Sequence, residues 1–238
     1  DLLALVGSHG FILTNFADAM KKMNFATSFT NSLLITTVST ILTIMLSAMT
    51  AFVIVRNKWK ACGILFSLMI ASMVIPFQVL MIPLVSLYGG IFGVLNSRIT
   101  LILMHVGFSL SMATFMFHGA IHTSVPMELE EAAFIDGCGY FKTMIKVMAP
   151  MAKPSIITVI LFNFLAFWNE YIIALTLMPG ASKTLPVGLV TLSKGQMAAA
   201  NYGQLYAGLV IVMLPTLILY IMVQKKLTQG MTLGGLKD

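Results

Sequence analysis

An all-α, polytopic membrane bundle is the fold class this sequence predicts, and three observations carry it. Hydrophobic residues make up 58% of the 238 and charged ones 9%, with mean hydropathy +0.95, so there are too few polar groups to cover a surface facing water. Five apolar runs of spanning length follow one another, separated by polar connections. One long polar interruption, Pro126 to Pro154, gathers four of the eight acids: Glu128, Glu130, Glu131 and Asp136.

Residues 1–29 are mixed and carry no uninterrupted apolar run, and they lack a signal-peptide pattern. They read as a segment ahead of the membrane domain. Asn31 to Val55 contains no charge and is rich in Ser, Thr and Ala. At about 1.5 Å per residue it is long enough for a hydrocarbon core of about 30 Å. Arg56, Lys58 and Lys60 close it. Ala61 to Tyr88 is the second span, with Pro76 and Pro83 inside it. Prolines at membrane depth predict a kink or a break, so its second half is not expected to be straight helix. Ile99 to Phe117 is the third span and carries His105.

The polar loop 118–153 comes next. Its spacing predicts two short helices around a glycine elbow. Pro126 suits a first helical turn, Glu128 falls near the positive end of the helix dipole, and Gly137 takes the left-handed closing position. A second helix from Tyr140 runs until Pro150 and Pro154 stop it. Ser155 to Leu177 is the fourth span, and Glu170 is the one acid inside it. Residues 178–203 form a longer loop with short helical patches. Gln204 to Gln224 is the fifth span, broken by Pro215, and 225–238 is a glycine-rich tail expected to be flexible. The membrane domain thus covers 30–224.

Lys and Arg in alternate connections set the orientation. Nine fall on one side, from Arg56, Lys58 and Lys60 to Lys225, Lys226 and Lys237; five fall on the other. The richer side is expected to be cytoplasmic, which places the polar loop and the tail inside the cell. A start on the outside calls for either a sixth, earlier span or unusual export.

Several function classes lose ground on the same residues. The Lys and Arg behind the net charge of +6 are spread singly or in pairs along connections, so they are no nucleic-acid footprint. Cys62 and Cys138 do not suggest a disulfide framework. His118 and His122 share an i, i+4 spacing but no third ligand, so no metal site is expected. His105 is read as bonding a neighbouring helix. No span shows the clustered His, Asp or Ser of a membrane-embedded enzyme, and there is no GxxxxGK[ST] loop for nucleotide phosphate.

Two groups of candidate site residues stand out. On the polar loop, Ala132 and Ala133 remove bulk while Glu128, Glu130, Glu131 and Asp136 offer partners to Arg or Lys on another surface. In the spans, Gln78, Asn163, Trp168, Asn169, Glu170 and Tyr171 supply the aromatic faces and polar tips that suit a sugar, and an intramembrane carboxylate is a functional candidate by default. Interfacial anchoring is the plainer alternative for Trp168 and Tyr171.

The order Glu131-Ala132-Ala133, Asp136-Gly137 and Pro150 resembles the EAA loop of bacterial ABC importer permeases. The sequence departs from that pattern at Cys138, where Ala is commoner, and at Ala149, where Leu is usual. Phe167-Trp168-Asn169-Glu170-Tyr171, the run Thr184 to Leu189, Pro215 and the ending Gln229 to Lys237 look like the carbohydrate branch, and within it the shorter permease of maltose-type systems. This resemblance covers nearly the whole chain.

The resemblance implies one half of a heterodimeric pathway for sugar, oligosaccharide above all, in a bacterial cytoplasmic membrane. It further implies a second permease, two ATP-binding cassette ATPases that hold ATP and Mg, and an extracytoplasmic sugar-binding protein, with no cofactor in this chain. Coupling is expected through the EAA loop. The tail, through Gln229, Gly230, Gly234 and Gly235, is expected to reach the ATPases. The rival readings are a permease for amino acids or another polar solute, and an ion-coupled secondary transporter.

Overall fold

The computed structural model describes residues 13–178, 183–198 and 202–234. Among them the chain is helical, without strands. A short helix, α1 (Thr14–Lys22), ends at Asn24, whose φ of 47° turns the chain into α2 (Phe25–Arg56). Asn tolerates this left-handed conformation better than most residues. The 32 residues of α2 begin six positions before the predicted span, because nothing from Phe25 to Asn31 breaks a helix once Asn24 has set its direction.

The face α2 turns inward is polar. Ser28, Ser32, Thr36, Ser39, Thr40, Thr43 and Ser47 are buried, while Leu33, Leu34, Ile41, Met45 and Leu46 are exposed. In water that arrangement would be inside out. In a bilayer, small hydroxyl residues let a neighbouring helix approach closely while the apolar face meets lipid. The neighbour is α5 (Arg98–Ser124), the principal partner of α2 along its length.

Between these two, α3 (Lys60–Ser72) stops before Pro76, and α4 (Phe77–Val85) runs on through a π-helical turn to Ile91. The two halves meet at 93°, so the second span is broken where its prolines predicted. Ser97 caps α5 with its hydroxyl, accepting from the Thr100 N–H at 3.4 Å. This helix passes the predicted end at Phe117 and runs to Ser124, so the polar loop opens at Val125 rather than 118. The first breaker after Phe117 is Pro126, which forces Val125 to φ −120°, ψ 96°.

Beyond the loop, described below, α8 (Lys153–Asn169) and α9 (Ile172–Leu177) replace the single span predicted for Ser155 to Leu177. The break falls at Glu170, so this acid sits at a helix junction rather than inside a continuous span. Then come α10 (Leu185–Ala198) and α11 (Tyr202–Gly234). Gly188 lies where a Cβ would come within 3.3 Å of the Met23 carbonyl oxygen, so glycine lets α10 seat closely against the α1–α2 junction.

Two expectations about α11 are corrected. Pro215 does not break it, and part of the reason is the neighbour. The Trp168 indole N–H donates to the Val212 carbonyl at 3.2 Å, within the turn whose backbone bonds a proline loosens. The other correction is to its bounds, for the helix does not end at Gln224 but continues to Gly234. Glycines there weaken a helix, but no proline intervenes to stop it. Gly235 lies outside the described residues.

Among the described residues three helices, α2, α5 and α11, are long and apolar enough to cross a membrane. Two bent pairs pass the same test, α3 with α4 and the loop's second helix with α8, which allows up to five spans. The chain sorts into two ends. At one, Phe52, Phe117, Ile121, Val125, Met148 and Val159 pack where α2 and α5 finish and α8 starts. At the other, Ile35, Leu101, Ile173 and Leu177 form one cluster, and Met23, Trp168, Leu185 and Ile211 a second.

Candidate coupling site at one end of the bundle

The polar loop folds as predicted into two helices around an elbow. Pro126 precedes α6 (Met127–Ile135), which carries Glu128 and Glu130 in its first turn, where the helix dipole favours negative charge. The helix closes on Gly137, with φ 78°. The Gly137 N–H donates to Phe134 O at 3.0 Å and the Cys138 N–H to Ala133 O at 2.9 Å. These paired bonds are a Schellman closure, which satisfies two terminal carbonyls and demands the left-handed conformation that glycine takes without strain.

Next is α7 (Tyr140–Met151), π-helical from Met144 to Met148, directly before Ala149 and Pro150. Pro150 lies within its last turn instead of ending it; the chain turns at Ala152 and enters α8 at 86°, with Pro154 in the first turn of α8.

The acids of α6 separate by face. Glu128, Glu131, Ala132 and Asp136 are exposed, and Ile135 beside them is 86% exposed. Glu130 and Ala133, three residues apart, are buried. This corrects the grouping of Glu130 with the outward acids. Glu130 is 3% exposed and is committed to Arg56 at the end of α2. Arg56 Nε donates to Oε1 at 2.8 Å and to Oε2 at 3.0 Å, Nη2 also donates to Oε1, and Nη2 reaches the Val125 carbonyl at 2.8 Å. The planar guanidinium suits this double grip. One side chain thereby joins α2, the end of α5 and α6.

Sequence reasoning missed Arg56 as a site residue. Its signal was present in the i, i+3 spacing of Glu130 and Ala133, which gives α6 a second, inward face. An open groove of about 570 Å³ lies beside the pair, lined by Phe52, Arg56, Trp59, Glu131, Phe134 and Tyr140 among others. The Tyr140 ring meets Phe134 edge-on at 4.9 Å and Phe52 at 6.3 Å, which ties α7 to both α6 and α2.

The span residues singled out for a sugar pathway are not brought together. Trp168 is 1% exposed, its ring packed against Phe29 and Phe164, so it belongs to the core and offers no face to a ligand. Asn163 is buried and its amide donates to the Val159 carbonyl one turn back at 2.9 Å. Asn169 makes the same local bond to Leu165 at 2.9 Å from an exposed position. Gln78 on α4 and Tyr171 are exposed.

Glu170 is a cap. Its Oε1 accepts from the Ile173 N–H at 2.6 Å and Oε2 from the Ala174 N–H at 3.1 Å, satisfying the opening donors of α9. His105, 3% exposed, stacks on Phe167 at 4.8 Å and brings Nε2 to 3.6 Å from Glu170 Oε2. His118 stacks on Phe66 at 4.1 Å. Among the described residues no His, Cys, Asp or Glu group could hold a metal, and both cysteines are free. Gln229, Gly230 and Gly234 lie on the last turns of α11.

Residues 43–232 match the family described as the binding-protein-dependent transport system inner membrane component. The probable starch degradation products transport system permease protein AmyC of Thermoanaerobacterium thermosulfurigenes is 33% identical over 95% of this chain and 81% of its own length. The diacetylchitobiose uptake system permease protein NgcG of Streptomyces coelicolor is 31% identical, over 92% of this chain and 72% of its own. Among solved structures, a chain of a bacterial ABC transporter involved in the import of the acidic polysaccharide alginate superposes with a TM-score of 0.70 at 20% identity, covering 90% of this chain and 79% of that one. With a helical multi-pass fold and a family match across most of its length, the chain belongs to the binding-protein-dependent transport system inner membrane components.

Proposed function

We propose that the chain is one permease subunit of an ATP-driven sugar importer, forming half of a heterodimeric pathway for an oligosaccharide. One observation carries the coupling part: α6 presents Glu128, Glu131, Ala132 and Asp136 outward, while Glu130 on its other face grips Arg56 at the end of α2. A surface that binds the outer face therefore pulls on a long membrane helix through the inner one. The energy arrives mechanically. ATP and Mg stay on two ATPase subunits, and no residue here touches nucleotide.

In this reading Glu131 pairs with a basic group on the ATPase, Ala132 allows close approach, Gly137 fixes the elbow, and the end of α11 near Gln229 and Gly230 reaches between the ATPases. The remaining partners are a second permease and a secreted sugar-binding protein. The names of the relatives, which concern starch products and diacetylchitobiose, support a saccharide over an amino acid. The site fits a bacterial cytoplasmic membrane with α6 and α7 on the cytoplasmic side.

The test is reconstitution of the membrane complex isolated through this chain, with labelled oligosaccharides and the binding protein outside the vesicles. ATP-dependent accumulation is expected. Accumulation driven by a proton or sodium gradient without an ATPase, or uptake of amino acids but no sugar, would overturn the reading.

A further inference from the structure

The strongest unassigned feature is the junction between α8 and α9. A buried imidazole whose two nitrogens make no hydrogen bond is costly, and His105 is in that position. Among the described residues it makes one ion-pair contact, with Glu170 Oε2 at 3.6 Å, about 0.7–0.9 Å beyond an ordinary charge-assisted bond. The other charged groups on the helices packed against α5 stand at their distant ends: Arg56 on α2, Lys60 on α3 and Lys153 on α8. On α5 itself, Arg98 is two turns away. Among the described residues Glu170 is therefore the one charged partner in reach.

The carboxylate is already in use. It holds the Ile173 and Ala174 amides at the start of α9, while the end of α9 is held by the Asn96 N–H, which donates to Leu177 O at 2.8 Å. Ala174 and Leu177 are fully packed between these anchors, in the cluster with Ile35, Leu101 and Val106. Detaching the first anchor leaves α9 joined to α8 by a chain that has already left the helix at Glu170 and Tyr171.

We infer that Glu170 is a positioning residue and not a sugar contact: with His105 it forms a catch that docks α9 on α5 and so fixes one end of the pathway. The small gap between the two groups lets the catch close or part with a sub-ångström shift of α5 against α8. This role rests on the transport reading, but its geometry is testable without transport.

The experiment has two readouts on the intact membrane complex: amide exchange of the α9 segment by mass spectrometry, and the rate and half-saturation of ATP-driven sugar uptake. Glu170→Gln is expected to speed exchange across Ile173 and Ala174 roughly five- to tenfold, the scale of losing a charged cap. It should lower the maximal uptake rate with half-saturation little changed. His105→Leu should reproduce both effects. His105→Gln, which keeps an N–H donor, should restore most of each.

A raised half-saturation with α9 exchange unaltered would mean that the carboxylate meets the cargo, and would overturn the inference. So would a His105→Leu complex with wild-type exchange and uptake. If the unmodified complex moves no sugar, the transport reading fails, yet the exchange data still decide whether the catch exists.

Discussion

At the scale of single residues, the charge of Glu130 is the most constrained. Removing either partner of a largely buried ion pair leaves the other charge uncompensated, typically at a cost of 3–5 kcal/mol. Arg56→Met alone and Glu130→Gln alone should therefore lower the melting temperature of the purified complex markedly. The double replacement Arg56→Met with Glu130→Leu should recover more than half of the loss. Singles that melt like wild type would remove the pair from the account. Gly137 is constrained by backbone: Gly137→Pro removes the N–H bonded to Phe134 and imposes a negative φ where 78° is needed. The expected result is a subunit still in the membrane whose ATP turnover continues while sugar uptake is lost. Gly137→Ala, which adds about 1–2 kcal/mol of left-handed strain, should be milder on both measures. The glycine was legible in the sequence because its conformational need is local. The partner of Glu130 was legible only in part: the i, i+3 spacing of Glu130 and Ala133 marks an inward face, but pairing across 74 positions leaves nothing in either segment to name Arg56.

Helices raise a different question, which is what lets them touch. The contact of α2 with α5 depends on Ser39, Thr43 and Ser47 being small, and all three are completely buried. Ser39→Leu or Thr43→Leu forces extra methylenes into that seam, at roughly 1–3 kcal/mol each. Reduced yield of folded complex in a thermal or detergent challenge is the expected outcome, whereas Leu33→Ala on the exposed side should be close to neutral. At the end of α11, deletion of residues 230–238 should alter ATPase activity in the reconstituted complex; unchanged turnover would take the tail out of the mechanism. The elements were readable wherever periodicity and proline dominate: α2, the bend at Pro76 and the two loop helices. They were misread where a side chain from another helix decides. Trp168 supports the turn before Pro215, and Glu170 terminates one helix by capping the next, so propensity alone predicted a break in the first place and a continuous span in the second.

For the whole molecule, the sorting of Lys and Arg gives a direction, and the two cysteines make it measurable. Cys138 sits partly exposed at the elbow while Cys62 is buried. A membrane-impermeant maleimide should label Cys138 in inside-out vesicles and not in right-side-out ones, with a Cys62→Ser background as control. The reverse pattern would put α6 on the wrong side for an ATPase. Composition was sufficient to predict a membrane protein and the apolar runs of spanning length a helical bundle; neither could show that the hydroxyl-rich face of α2 points inward, because that depends on where α5 lies. The Arg56–Glu130 joint has a further consequence, for biogenesis. Translation at about 5–20 residues per second separates the two by roughly 4–15 s. Through that interval the ribosome has delivered the guanidinium but not its carboxylate. The joint between α2 and α6 therefore closes only after both segments have been made, and α2 has to be placed without it.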